Sequence, residues 1–256
     1  NDAVHELMNQ FHFIPRARLD DVMVSYASDQ GGVGPHFDSY DVFLLQAQGQ
    51  RRWRIGKQKD LQLQPDVPLK ILAHFEPEQE MVLDPGDMLF GFRASSPGEL
   101  AEELLQRLAG ESQMICGKSI YSDSGQEAVV DCAEIPERLA EFSRRALDQV
   151  MQDPDAIRRV LGEHLTEPKP SVFFSACPTP FQMKDVRLDR RTKMLYDARH
   201  VFINGESYLA TGRDAHILRL LANHRTLTAS ETRGLSLSAR ELLHEWAESG
   251  WLHATE

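Results

Sequence analysis

Short runs of apolar, β-branched and aromatic residues mark the first third of the chain: VMVSYAS, DVFLLQA, RRWRIG and EMVLD. Glycine- and proline-rich turn signals, GGVGP, QGQ and DPGD, separate them. Punctuation of this kind predicts an all-β barrel or sandwich reaching to about Arg93. Beyond that point the period changes. Ser96-Pro97-Gly98-Glu99 is a capping box with proline at the first helical position, and Leu100, Leu104, Leu105 and Leu108 come after it at helical spacing. Pro136 opens a second helix carrying Leu139, Phe142, Ala146 and Val150, and Asp153-Pro154 a third carrying Ile157, Val160, Leu161 and Leu165. The proline-rich stretch TEPKPSVFFSACPTP predicts a linker with an apolar patch. After it come strands at KMLYDA and VFING, helices at DAHILRLLANH and SARELLHEWAESG, and a strand-like tail at GWLHA. Asp214 and a Ser238–Glu241 capping box are the expected helix starts there, and Gly250 the expected stop. The fold class is therefore α+β with a mostly β front. Its three regions are 1–95, 96–183 and 184–256, the last resembling a winged helix.

Composition narrows the picture only modestly. Forty-one per cent hydrophobic and 26% charged residues are ordinary for a chain with a sizeable core, and no apolar run is long enough to span a bilayer. The chain begins NDAVHELMNQ, without an initiator methionine or a signal-like stretch, as if taken up within a longer protein. Cys116, Cys132 and Cys177 are odd in number and lack a C-x-x-C pair, which points to a reducing cytoplasm and away from a thiolate zinc site. The net charge of −11 divides into −5, −7 and +1 over residues 1–96, 97–183 and 184–256. An acidic body suits a basic protein partner, and a tail at +1 argues against DNA binding.

Candidate chemistry concentrates in Gly31-Gly32-Val33-Gly34-Pro35-His36-Phe37-Asp38. Side chains two apart in extended backbone point the same way, so His36 and Asp38 can converge on one cation. Imidazole and carboxylate are two thirds of the 2-His-1-carboxylate facial triad that holds Fe(II) and leaves three positions open. By itself H-x-D is a common chance pattern, and a surface His–Asp pair is the plainer reading. Arg51, fifteen residues after His36, changes the balance. A return strand would let its guanidinium grip a carboxylate through two parallel hydrogen bonds, while Arg52 and Arg54 suit a solvated strand edge.

The run DDVMVSYASDQGGVGPHFDSYDVFLLQAQGQRRWRIG, and after it LDPGDMLF, resembles the JmjC-type 2-oxoglutarate oxygenases, and more narrowly the bacterial ribosomal oxygenases. GFRASSPGELAEELLQRL and IYSDSGQE resemble the helical dimerisation region of that subfamily, and the tail its winged helix, so the likeness covers nearly the whole chain. The resemblance implies a double-stranded β-helix (cupin) barrel with Fe(II) bound by His36 and Asp38. It further implies 2-oxoglutarate held by Arg51, O2 as co-substrate, a homodimer, and hydroxylation of an arginine on ribosomal protein L16 (uL16). Rival readings are a histidyl hydroxylase of a ribosomal protein, a metal-free cupin scaffold that binds protein, and a winged-helix regulator.

At one point the sequence departs from the pattern. The family takes a third ligand, a histidine, from a later strand about ten residues past a turn like Asp84-Pro85-Gly86-Asp87. Here LDPGDMLF runs directly into GFRASSPGEL with no histidine between. Losing a strand from a closed barrel leaves unpaired backbone, which leads to the expectation that a segment is omitted between Phe90 and Gly91. His74, before the turn, is expected to be an exposed or packing histidine and not a substitute.

Overall fold

The computed structural model describes residues 2–20, 22–37, 41–91, 96–122, 124–125, 133–176 and 184–255, with residues 89–91 described by backbone alone. They divide into two compact units, Met23–Ala101 and Asn1–Val22 with Glu102–Glu256.

Among the described residues, the Met23–Ala101 unit contains four strands in two antiparallel pairs. β1 (Val42–Leu45) pairs with β4 (Met88–Gly91), and β2 (Arg51–Ile55) with β3 (Gln79–Leu83). The expected direct return from β1 to β2 is therefore replaced by nesting, because each strand finds its partner after the long excursion through residues 56–78. The DPGD turn closes this arrangement. Asp84 N donates to Asp87 Oδ2 at 2.8 Å, Gln50 Nε2 donates to Asp84 Oδ1 at 2.6 Å, and Gly86 N donates to the Gln46 carbonyl at 2.9 Å. β4 crosses the Phe90–Gly91 junction as one strand, with Phe90 opposite Phe43 and Gly91 opposite Val42. The backbone of Phe90 and Gly91 thus pairs with β1.

In the other unit, α1 (Asp2–Asn9) precedes three longer helices: α2 (Pro97–Cys116), α3 (Glu137–Gln152) and α4 (Pro154–Thr166). The predicted capping box is formed: Glu99 N donates to Ser96 Oγ at 3.2 Å and Ser96 N to Glu99 Oε2 at 3.0 Å. Asp153 caps α4 by accepting from the backbone nitrogens of Asp155 and Ala156. Leu108, Val150, Ala156 and Val160 are buried together, with Leu104, Ile115 and Ile157 packed against them. Leu105, one of the predicted stripe, is instead exposed.

The remainder is built from β5 (Val186–Leu188), a meander β6 (Met194–Tyr196), β7 (His200–Ile203) and β8 (Glu206–Leu209), then α5 (Gly212–His224), β9 (Thr226–Leu227), α6 (Ala229–Arg233), α7 (Leu237–Glu248) and β10 (Leu252–Ala254). β5 is flanked by β9 and β10 in a second sheet. Trp246, Leu221, Leu243 and Leu252 are fully buried between these elements, each stabilising by roughly 1.5–3 kcal/mol. Two predicted caps are corrected. Ser236, not Ser238, caps α7 by accepting from Ala239 N, and Asp214 accepts from the backbone and hydroxyl of Ser236 instead of capping α5. A two-residue shift in a cap is invisible to spacing, since either serine precedes the same apolar stripe. Gly250 comes just after α7 with φ +75°, as a helix stop should.

α4 packs on the β6–β8 meander at very close range, and Gly162 is the reason it can. A Cβ there would lie 2.4 Å from the Phe202 ring. Gly162→Ala is expected to destabilise this unit by about 1–3 kcal/mol despite alanine's better helix propensity, seen as a lower Tm. Asp189 supplies a second test. Its partial burial opposes ionisation, but hydrogen bonds from the Arg191 side chain and backbone and from His253 hold it ionised well below the usual carboxylate range. A depressed carboxyl contributes stability that is complete above its unfolded value of about 4 and is lost as pH falls toward the folded one. Asp189→Asn is therefore expected to flatten the acid limb of stability against pH in denaturant titrations.

Candidate metal and diacid site

The GGVGP segment turns as its glycines suggest. Gly31 N donates to the Ser28 carbonyl at 2.9 Å, and Gly34 has φ +91°, a conformation that glycine adopts without strain. That turn delivers Pro35 and His36 onto extended backbone. Leu72 N donates to the Pro35 carbonyl at 2.8 Å, and His36 forms an antiparallel bridge with Ile71. Neither Ile71 nor Leu72 carried a sequence signal for this role, because the pairing closes over more than thirty intervening residues. Both are buried and give the site a fixed wall.

The His36 ring is oriented from behind. Its Nδ1 lies 2.8 Å from the Gly34 carbonyl oxygen. A carbonyl only accepts, so Nδ1 carries the proton, and in the neutral ring the lone pair sits on Nε2. This is the tautomer and the backbone support that metal-binding histidines use. Asp38, predicted as the neighbouring carboxylate ligand, lies outside the described residues.

Arg51 starts β2, where burial alternates along Arg51–Ile55. Arg51, Trp53 and Ile55 share the half-buried face, and Leu83, opposite Arg51, is buried. Arg52 and Arg54 take the other face and both pair with Glu80, at 3.5 and 3.0 Å. They form the solvated edge that their sequence suggested. Arg51 instead donates through Nη1 to Ser25 Oγ at 3.1 Å. A guanidinium on the half-buried side of a strand, held by a neutral hydroxyl, has further donors for an anionic ligand. Ser25 went unnoticed in the sequence because nothing in a lone serine twenty-six residues upstream marks it.

The donor set for iron matches two of its three positions. Imidazole and carboxylate at His36 and Asp38 are of the right type and spacing. The Met23–Ala101 unit holds one other histidine, His74, which is exposed. It lies three residues past Ile71, in a bend beyond the bridge that holds His36. Among the described residues no three His, Cys, Asp or Glu side chains gather as a metal cluster. Among the described residues, therefore, no complete facial triad is found.

Comparison with known proteins agrees with the geometry at the level of family. Residues 6–94 match the JmjC domain and residues 149–253 the ROXA-like winged helix. The ribosomal protein uL16 3-hydroxylase of Escherichia coli (strain K12) is 28% identical over 87% of this chain and 67% of its own length. The probable ribosomal oxygenase of Haemophilus influenzae is 45% identical, over 33% of this chain and 22% of its own. Escherichia coli YcfD, a ribosomal oxygenase solved with cobalt and succinic acid, superposes with a TM-score of 0.76 at 25% identity, covering 98% of this chain and 74% of that one. With a JmjC-domain match in front and a ROXA-like winged-helix match behind, this chain is similar to the ribosomal oxygenases.

Proposed function

We propose that the chain serves iron(II)- and 2-oxoglutarate-dependent hydroxylation of a ribosomal protein in the cytoplasm, with an arginine of uL16 as its target. The observation that carries this reading is His36, whose Nδ1–H is held by the Gly34 carbonyl so that Nε2 faces a ligand role, in a domain that matches JmjC. His36 and Asp38 would hold iron, and Arg51 the far carboxylate of 2-oxoglutarate. Iron with 2-oxoglutarate and O2 supplies the oxidation that places a hydroxyl on an unactivated carbon. The chain's own contribution is positional: a fixed histidine tautomer, a guanidinium on the apolar face of β2, and Leu83 and Ile71 excluding water nearby. The net charge of −11 supports a basic partner such as a ribosomal protein. On this reading residues 1–95 form the cupin barrel, 96–183 a helical region that pairs two copies, and 184–256 the winged-helix domain.

A second reading, a protein-binding scaffold without catalysis, is favoured by the missing third histidine. Incubation with iron, ascorbate, 2-oxoglutarate and a uL16 peptide separates the two. A +16 Da product whose fragments map the hydroxyl to arginine is the expected outcome, and a histidine product points to the histidyl alternative. No product with metal confirmed bound removes the catalytic reading. Arg51→Met is expected to weaken 2-oxoglutarate by roughly 10- to 100-fold, the loss of one or two charged hydrogen bonds, with metal binding alone unchanged. Calorimetric titration of 2-oxoglutarate into the metal-loaded protein checks it.

A further inference from the structure

The unit formed by Asn1–Val22 and Glu102–Glu256 gathers positive charge at the C-terminal end of α5. Arg16 reaches there from beyond α1 and donates from Nη1 to the Ala222 carbonyl at 2.6 Å, while its Nη2 lies 3.5 Å from His12 Nε2. Arg225 directly follows α5 and donates from Nη2 to the carbonyls of Asp189 and Thr192, at 2.6 and 3.0 Å. Both arginines are half-buried. Among the described residues neither has a carboxylate within ion-pair distance, because Asp189 is engaged by Arg191 and His253, and Asp2 by Arg190. Burial, and after it the charge of Arg16, bring the Arg225 guanidinium down to about 10, against a smaller opposing pull from Asp189. Burial also pushes the imidazoles of His5 and His12 down, and Arg225 adds to it at both. A helix C-terminus carries only about half a negative charge, so the end of α5 leaves roughly one and a half positive charges here without a partner.

We propose that this cluster is a binding site for a phosphate-type dianion, either free phosphate or a phosphate monoester, held by Arg16 and Arg225 with the His5 and His12 imidazoles beside them. Each guanidinium keeps unused donors. Nε of Arg16, and Nε and Nη1 of Arg225, make no hydrogen bond among the described residues. Two planar forks from separate stretches of chain suit several oxygens around one centre, whereas a carboxylate engages a single fork. A dianion also removes the repulsion between the two arginines. The charge of residues 184–256 is only +1, which suits one small anion and not a nucleic-acid strand.

The test titrates inorganic phosphate and adenosine monophosphate into the full chain by calorimetry, at fixed ionic strength in a phosphate-free buffer, with acetate as the reference anion. Saturable one-to-one binding is expected, with a Tm raised above that in acetate. Arg16→Gln and Arg225→Gln are each expected to weaken it by about ten-fold or more, the loss of a charged hydrogen bond, and either variant suffices once circular dichroism shows it folded. Arg51→Met, in the front unit, is expected to leave phosphate binding unchanged. Adenosine monophosphate binding more tightly than phosphate assigns the site to a monoester, and binding no more tightly assigns it to the free ion; both outcomes support the proposal. Binding that survives both arginine substitutions, or that is lost in Arg51→Met, shows an anion held elsewhere and overturns it. An equal response to acetate shows charge screening alone, and absence of binding to either probe shows no site; each of these overturns it as well.

Discussion

One hydrogen bond, from His36 Nδ1 to the Gly34 carbonyl, sets the terms for the candidate site. It forces the ring tautomer, aims Nε2, and exists only because Gly34 takes a positive φ that returns its carbonyl under the ring two residues later. Pro35 then locks the adjoining backbone through its own carbonyl bond from Leu72. Ligand orientation thus comes from main-chain geometry. That is a stiffer support than a second side chain, because the backbone here is itself pinned by the bridge to Ile71.

Arg51 owes its role to a different constraint, the two-residue alternation of a strand. Arg51, Arg52 and Arg54 are chemically alike, yet pleating assigns Arg52 and Arg54 to Glu80 and the solvent while Arg51 joins Trp53, Ile55 and Leu83. Ser25 is a modest partner for such a group and competes little with a carboxylate.

The front unit shows how a β domain keeps its backbone satisfied with a short fourth strand. Its described strands form two separate pairs, held where the DPGD turn meets the Gln46–Gln50 turn. β4 keeps its backbone bonds by pairing along its whole length with β1. Backbone satisfaction is local and can be preserved by a shorter chain. A metal site is not local in that sense, since its ligands have to be brought together from separate stretches of the chain.

Much of this was already present in the order of residues. Periodicity marked the helices, and Ser96–Glu99 and Asp153 marked two of their starts, because these depend on neighbours within a few positions. Folding alone decided that Arg51 faces inward beside Ser25, that Ile71 and Leu72 hold His36, and that β1 and β2 seek other partners. The shift of a cap from Ser238 to Ser236 belongs with them. Each of these depends on which distant segments pair, and pairing is chosen by the summed burial and hydrogen bonding of the whole unit, which no short window of sequence contains.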